Sequence, residues 1–226
     1  MSGARTIALI PAFNEVGTIA DVVSGLHGVV DAVLVVDDGS TDGTAASARC
    51  AGAEVIVHPA NRGKGTAVRT GLARVLDGEY TYLLLLDGDL QHLPHEASRL
   101  MDVMVTSDAD VVIGERMFDR AQMPASRYHT NRIGSRALSA FVGVGVGDTQ
   151  CGFRLFRVAA LRGLALSATG YEIETEMLIK VRRRGGLVAS APVTAVYNGQ
   201  RSKLRPIRDT TRTCFLAVYY RYIERL

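Results

Sequence analysis

The sequence predicts an α/β fold, a doubly wound and mostly parallel sheet flanked by helices. Unbroken apolar runs occupy residues 6–10, 32–36 and 83–86, and segments of helical periodicity separate them. Continuous apolar runs are typical of parallel strands covered on both faces, whereas alternation with polar residues would indicate a half-exposed strand. Strands that alternate with helices favour a doubly wound sheet.

The predicted helices show apolar residues three and four positions apart, which places them on one helix face. One helix should follow the first strand, one should precede the strand at 83–86, and one should lie near residue 180. The apolar positions are Ile19, Val22, Val23 and Leu26, then Ala67, Gly71, Leu72 and Val75, and later Met177, Leu178 and Val181. A further strand is expected over 191–197.

Helical spacing returns between Ile207 and Leu226, where arginines accompany apolar positions that include Phe215 and Tyr222. A basic amphipathic helix suits the surface of an anionic bilayer. Packing against the domain or a partner subunit explains the same pattern equally well. The sequence therefore predicts a C-terminal amphipathic helix without choosing what it contacts.

Composition indicates one globular domain over 1–226, with a mobile loop and the C-terminal helix over about 200–226. The 226 residues can bury a sizeable core and contain no internal repeat or linker-like tract. The net charge of +3 gives no reason to expect a nucleic-acid partner, and three scattered cysteines favour neither a disulfide framework nor a zinc site. The apolar runs are too short to span a bilayer and the N-terminus resembles no signal peptide, so we expect a cytoplasmic protein.

The run at 83–86 ends in Asp87, Gly88 and Asp89, which indicates a metal site. Side chains at positions i and i+2 of extended backbone point the same way, so the two carboxylates can share one hard cation. Oxygen ligands favour Mg²⁺ or Mn²⁺, whose remaining positions are commonly filled by substrate phosphates. His92 and His95 follow in a loop that contains proline, where histidines are more often surface residues than ligands.

Two more polar segments, 11–15 and 37–44, follow the other predicted strands. In doubly wound sheets ligands bind outside the carboxyl ends of the strands, so all three segments should meet at one site. A basic cluster lies later in the chain, in a stretch punctuated by glycine, serine and proline. Such a stretch is typical of a loop that closes over a polyphosphate. The cluster comprises Arg201, Lys203, Arg205, Arg208 and Arg212.

Several of these segments, taken in order, resemble family 2 glycosyltransferases of the GT-A fold. They are Pro11 to Glu15, Val36 to Thr44, Asn61 to Gly65, and Asp87 to His92. Three further segments resemble the branch that contains dolichyl-phosphate mannose synthases and polyprenyl-phosphate glucose synthases. These are Asp110 to Arg116, Asp148 to Arg154, and Ser202 to Leu204.

The resemblance implies a role for each matching residue. The donor nucleotide would lie against Pro11, Ala12, Phe13, Glu15, Val36, Asp37 and Asp38. The metal, Mg²⁺ or Mn²⁺, would be held by Asp87, Asp89 and Gln91, with Gly88 beside the donor. Donor phosphates would meet Lys64, Arg116, Arg201 and Lys203, of which Arg116 and Lys203 join Asp89 as the catalytic set. The acceptor phosphate would meet Arg132, Ser135 and Arg136, although an exposed basic helix face explains those arginines equally well.

The resemblance implies an inverting enzyme that moves a hexose, mannose or glucose, from a GDP- or UDP-sugar to a polyprenyl (dolichyl-type) phosphate. An enzyme that acts on such an acceptor would contact the inner face of the cell membrane peripherally. Mannose-type members carry an arginine in the strand before the Ser-Lys loop, where this chain has Ala195, Val196 and Tyr197. Arg201 is the candidate replacement, and the donor sugar stays open.

The acceptor decides whether the reaction needs a base. A phosphate monoester is already an anion near neutral pH, so it can attack without one, whereas a hydroxyl acceptor needs a general base. Glu172, Glu174 and Glu176 are candidates for that base, although an acidic first helix turn explains the same residues. A transferase acting on a saccharide or other hydroxyl therefore remains an alternative. A non-catalytic nucleotide-binding subunit is a second one, against which the intact acidic pair, Gln91 and Lys203 argue.

Overall fold

The computed structural model describes residues 3–116, 135, 138–139, 142–194, 196 and 220. These residues form a seven-stranded sheet with the order β3-β2-β1-β4-β6-β5-β7. The strands are β1 (Thr6–Ala12), β2 (Ala32–Asp37), β3 (Glu54–Val57), β4 (Tyr82–Leu85), β5 (Val111–Glu115), β6 (Arg154–Arg157) and β7 (Val188–Pro192). The strand expected over 191–197 thus begins earlier, at Val188, and ends at Pro192, which has no amide hydrogen to continue the ladder.

Helices flank this sheet. They are α1 (Ile19–Gly25), α2 (Thr44–Cys50), α3 (Lys64–Leu76), α4 (Ala97–Ser107), α5 (Val158–Leu161) and α6 (Ile173–Arg183), with a 3₁₀ turn at Pro94–Glu96. Helix α3 packs on β1 and β2, and α4 packs on β5, β6 and β7. Within the described ranges, no helix is both long and apolar enough to cross a membrane. The C-terminal helix expected from Ile207 onward lies outside the described residues, apart from Tyr220.

The prediction of a doubly wound and mostly parallel sheet is confirmed. Strands β1, β2, β3 and β4 run parallel, and β5 pairs in parallel with β7. Strand β6 is the exception, since it lies antiparallel between β4 and β5. The chain runs from β1 outward to β2 and β3 and then returns to β4 on the other side of β1. The carboxyl ends of β1 and β4 therefore flank a switch point, where open α/β sheets bind their ligands.

Burial explains why β1 and β4 were predictable and β3 was not. All seven residues of β1 are buried, as are Leu83 to Leu86, which is the environment that unbroken apolar runs favour. Strand β3 lies at the sheet edge, and its four residues are exposed or half-buried. Its short Glu-Val-Ile-Val sequence carries too little pattern to predict a strand.

Helix α3 approaches β1 closely because Gly71 faces Leu9. A Cβ built on Gly71 would overlap the buried Leu9 side chain. We expect Gly71→Ala to lower the free energy of unfolding by about 1–2 kcal/mol, because overpacking typically costs about 1–3 kcal/mol and exceeds the gain of about 1 kcal/mol in helix propensity. Urea unfolding measures the difference. Gly17→Ala is the matched control, since a Cβ there meets nothing within 4 Å, and an equal loss in both variants would contradict this packing.

Candidate active site

The acidic turn after β4 lies at the switch point and is fixed to the beginning of α1. The Thr18 hydroxyl donates a hydrogen bond of 2.7 Å to the carbonyl of Gly88. A side chain at position 88 would press on Ile19 and Ile10, at 3.3 and 3.5 Å from a Cβ. The amide of Gln91 donates to Asp89 Oδ1 at 3.1 Å. Asp87 and Asp89 thus lie at the predicted place, and hydrogen bonds fix the backbone of their turn.

The loops after β1 and β2 join into one wall beside this turn. Asn14, with a φ of 52°, donates its amide to Ser40 Oγ at 2.8 Å, and its side-chain oxygen accepts the amide of Thr41 at 3.0 Å. Glu15 donates its amide to Thr44 Oγ1 at 2.8 Å. The two polar segments predicted to meet at the strand ends therefore do so through their own hydrogen bonds.

The two aspartates that end β2 are buried and engaged with the protein. Asp37 pairs in register with Ala12 and accepts the amide of Ser40 at 2.7 Å. Asp38 is 3% exposed, and its carboxylate accepts the amides of Arg62 and Gly63 at 3.0 and 2.7 Å. Asp38 also lies 2.7 Å from His58 Nδ1. Asp38 therefore organises the 58–63 loop, and donor contacts of both aspartates stay predictions.

The segment from Asn61 to Gly65 positions Lys64 beside Asp87. Its amides do not form a phosphate cradle, since those of residues 62 and 63 bind Asp38 and that of Gly65 donates to the Thr169 carbonyl at 2.9 Å. Gly63 has a φ of +95°, and a Cβ on Gly65 would lie 2.6 Å from the Ala168 carbonyl oxygen. Both glycines are thus required for the loop to reach the site.

Lys64 is the centre of a buried ion cluster. Its Nζ lies 2.5 Å from Asp87 Oδ1 and 2.6 Å from Glu174 Oε1, and 5.3 Å from the ring centre of Tyr171. Only 11% of the lysine side chain is exposed. Burial alone would lower the pKa of Lys64, but the charges of Asp87 and Glu174 outweigh it and the pKa is raised above its ordinary value. The ammonium is therefore a permanent positive charge.

The pKa values of Asp87 and Asp89, the two aspartates of the predicted metal site, shift in opposite directions. Burial tends to raise the pKa of Asp87, but the neighbouring Lys64 ammonium holds it below the ordinary value. Burial, and then the charge of Asp87, raise the pKa of Asp89 to about 6. Asp89 thus carries an uncompensated charge beside a second carboxylate, an arrangement that a divalent cation would stabilise.

The donor set fits Mg²⁺ or Mn²⁺. The predicted ligands, two carboxylates and the Gln91 amide, are hard oxygen donors, as these cations prefer. No group of three or more His, Cys, Asp and Glu side chains placed to hold a metal occurs among the residues that the structure describes. A cation at Asp87 and Asp89 would therefore keep open positions for substrate oxygen atoms.

Arg116 is held at the other side of the site by a buried partner. Its Nε lies 2.7 Å from Asp148 Oδ2 and its Nη2 lies 3.1 Å from Oδ1, a bidentate pair. Burial opposes ionisation of Asp148, but the guanidinium keeps its pKa below the ordinary value. Arg116 is 15% exposed at its side chain. The pair, which the sequence did not predict, therefore fixes the guanidinium, and its contact with donor phosphates stays a prediction.

His92 corrects an expectation. His95 is exposed as predicted, but His92 is buried, stacked on Phe153 with ring centres 5.3 Å apart and 3.6 Å from Cys151 Sγ. Burial, and then the charge of Arg116, lower the pKa of His92 to about 4, so the ring is neutral at pH 7. The prediction of a surface histidine was wrong because Phe153, which covers the ring, lies sixty residues away in sequence.

The three glutamates do begin helix α6, but they are buried rather than solvated. Glu176 accepts the amides of Ser167 and Ala168 and the hydroxyl of Tyr220, so it joins three segments. Glu172 accepts the amide of Gly170 at 3.1 Å. Glu174 pairs with Lys64. These contacts give all three residues a structural explanation.

Several predicted site residues contact the protein rather than open space, and others lie outside the described ranges. Ser135 is buried, and its hydroxyl accepts the amide of Thr149 at 3.1 Å. The carbonyl of Gln91 accepts the amide of Val196 at 2.9 Å, so Val196 lies beside the acidic turn. The residues outside the described ranges are Arg132, Arg136, Arg201 and Lys203, whose roles stay predictions.

The raised pKa of Asp89 leads to a prediction about stability. In the cation-free protein the folded state binds more protons than the unfolded chain between pH 3.8 and about 6, so this residue lowers stability as the pH rises through that window. We expect Asp89→Asn to raise the free energy of unfolding at pH 7.5 by on the order of 1 kcal/mol. The gain should shrink below pH 6, as urea unfolding at several pH values would measure.

The same variant tests the cation site. Mn²⁺ should raise the melting temperature of the wild type but not that of Asp89→Asn, because only a ligand that binds the folded state stabilises it. An equal increase in both proteins would contradict a role for Asp89 in cation binding.

The comparisons with known proteins agree with this geometry. The family model described as Glycosyl transferase family 2 matches residues 7–164. The glycosyltransferase AglJ of Haloferax volcanii is 37% identical over 220 residues, covering 94% of this chain and 70% of that protein. The undecaprenyl-phosphate mannosyltransferase of Micrococcus luteus is 32% identical over 205 residues, covering 85% and 84%.

Solved structures support the same fold. Glucosyl-3-phosphoglycerate synthase of Mycobacterium tuberculosis, in complex with Mn²⁺, UDP-glucose and phosphoglyceric acid, superimposes with a TM-score of 0.78 at 24% identity, covering 97% of this chain and 80% of that one. At that identity the likeness concerns the fold, which is that of the GT-A glycosyltransferases. Because the family model covers well over half of the sequence, the chain belongs to Glycosyl transferase family 2.

Proposed function

We propose that this chain is an inverting hexosyltransferase that moves a hexose from a nucleoside diphosphate sugar to a polyprenyl phosphate, with Mg²⁺ or Mn²⁺. The observation that carries the proposal is the acidic turn at the sheet's switch point, where two carboxylates leave room for substrate oxygen atoms and Lys64 adds a fixed positive charge. Relatives at 32% identity named undecaprenyl-phosphate mannosyltransferase and polyprenol monophosphomannose synthase support the acceptor class.

The donor occupies the wall formed by the loops after β1 and β2, with its diphosphate toward the acidic turn. Asp87, Asp89 and Gln91 would hold the cation, which would supply positive charge for the diphosphate and for the leaving nucleotide. The protein supplies further positive charge beside the diphosphate. In this proposal those charges are Lys64, Arg116, Arg201 and Lys203.

The reaction needs no protein base. An acceptor phosphate oxygen attacks the anomeric carbon from the face opposite the diphosphate, forming one C–O bond, while the bond to the diphosphate breaks and its electron pair leaves with the nucleotide. The described contacts of Glu174 and Glu176 support this course, because both carboxylates are buried in ion pairs or hydrogen bonds. Arg132 and Arg136, with Ser135, remain the proposed acceptor-phosphate contacts.

The location of the reaction is part of the proposal. A polyprenyl phosphate resides in a bilayer, so the enzyme has to reach the membrane surface. The basic amphipathic pattern between Ile207 and Leu226 supports peripheral contact with the inner face of the cell membrane. We also propose a single domain over 1–226, because the sequence contains no internal repeat or linker-like tract.

One assay separates this function from its alternatives. The purified chain is incubated with Mn²⁺, a radiolabelled donor and either a polyprenyl phosphate or the hydroxyl acceptor 3-phosphoglycerate. GDP-mannose, UDP-glucose and UDP-N-acetylglucosamine serve in turn as donors. We expect label in an organic-soluble product with one of the donors, and none in a product from 3-phosphoglycerate. Transfer to the hydroxyl acceptor alone would support the saccharide or hydroxyl alternative, and donor binding without any transfer would support a non-catalytic subunit.

The matched variants are Asp89→Ala and Asp102→Ala. The first should lower transfer by on the order of 10²-fold or more, because charge on the leaving diphosphate is no longer neutralised. The second replaces an exposed aspartate of α4 and should transfer at the wild-type rate. Comparable rates in both variants would contradict the cation-dependent mechanism.

A further inference from the structure

Glu174 and Asp87 share a single lysine. The Lys64 ammonium lies 2.5 Å from one carboxylate and 2.6 Å from the other. The two carboxylates differ in exposure, since 32% of the Asp87 side chain is exposed but only 8% of the Glu174 side chain. Asp87 therefore faces the site and Glu174 faces the interior.

A buried arginine, Arg154, holds Glu174 in that position. Arg154, 1% exposed, donates from Nη1 to the Glu174 carbonyl at 2.8 Å, and its Nη2 lies 3.7 Å from Glu174 Oε2. The same guanidinium donates to the carbonyls of Cys151 and Thr149, at 2.8 and 2.7 Å, so it is fixed on three sides. Glu174 thus has a rigid anchor that does not depend on any ligand.

The two carboxylates approach each other because residue 152 is glycine. A Cβ on Gly152 would lie 3.0 Å from Asp87 Oδ2 and 3.4 Å from Glu174 Oε1. Like charges this close repel each other unless a cation lies between them, and Lys64 fills that position. The arrangement leaves one ammonium with two possible anions.

A divalent cation at Asp87 changes this balance. It would compete with the Lys64 ammonium for the Asp87 carboxylate, and a buried ammonium that lost its only anion would be strongly destabilised. Glu174 removes that cost, because it remains paired with Lys64 when Asp87 turns to the cation. We propose, on the basis of the function proposed above, that Glu174 is a positioning residue. It retains Lys64 while Asp87 binds the cation, so that the ammonium stays beside the donor diphosphate as a second positive charge.

The proposal predicts how three variants bind Mn²⁺ alone, which can be measured from the electron paramagnetic resonance signal of free Mn²⁺ without donor or acceptor. In Glu174→Gln the ammonium has only Asp87 left, so it competes with the cation, and Mn²⁺ affinity should fall on the order of tenfold. In Lys64→Met the competitor is gone, so Mn²⁺ should bind as tightly as in the wild type or tighter. In the double variant, most of the loss caused by Glu174→Gln should disappear.

The double variant separates this mechanism from a simple loss of negative charge. If Glu174 acted only through its negative charge, Glu174→Gln would weaken Mn²⁺ binding equally with and without Lys64. That result would overturn the proposal. Glu172→Gln is the matched control, since the same substitution two residues away changes a carboxylate that accepts the Gly170 amide and is not paired with Lys64. It should leave Mn²⁺ affinity unchanged.

Further outcomes are equally decisive. Unchanged Mn²⁺ affinity in Glu174→Gln would overturn the proposal. If transfer were then lost, Glu174 would act as a base, and if only the melting temperature fell, its role would be structural. If Glu174→Gln does not fold, Lys64→Met alone decides. It should keep its Mn²⁺ affinity but bind UDP more weakly in the presence of Mn²⁺, and weaker Mn²⁺ binding would contradict the competition. A wild type that binds no Mn²⁺ would instead contradict the proposed function.

Discussion

The ammonium of Lys64, buried between Asp87 and Glu174, joins the parts of this molecule that the donor site requires. It connects the turn after β4 with the first turn of α6, and it does so where two carboxylates would otherwise repel each other. A buried ion pair is not in itself a source of stability, because desolvation offsets much of the attraction. Its value here is positional, since it fixes where the charges of the site lie before any substrate arrives.

The lysine reaches this position through constraints that begin at β2. The Asp38 carboxylate accepts the amides of Arg62 and Gly63, and the Gly65 amide donates to Thr169. Side chains at the two glycines would collide with the backbone of residues 168–169. Two aspartates thus act in succession, because the buried Asp38 shapes the loop whose lysine then pairs with Asp87.

The sequence predicted the fold and the place of the site for a physical reason. Buried parallel strands leave unbroken apolar runs, and open α/β sheets bind their ligands at the carboxyl ends of those strands. It did not predict β6. The first residue of that strand, Arg154, looks like an ordinary surface charge in the sequence but is buried and donates to three backbone carbonyls. Nor did it predict the burial of His92, the pairing of Arg116 with Asp148, or the contacts of Glu176. Each of these depends on a partner distant in sequence, and periodicity carries no information about such pairs.

In the proposed function, most donor contacts and the acceptor contacts come from different stretches of the chain, although Arg116, Arg201 and Lys203, proposed for the donor phosphates, lie later in it. The acidic turn, the two-loop wall and Lys64 all lie within residues 11–91, whereas the proposed acceptor contacts come after residue 130. One consequence is that a fold of this kind can keep its donor chemistry while its acceptor changes. A structural neighbour that glucosylates phosphoglycerate and relatives that act on polyprenyl phosphates are therefore compatible with a shared scaffold.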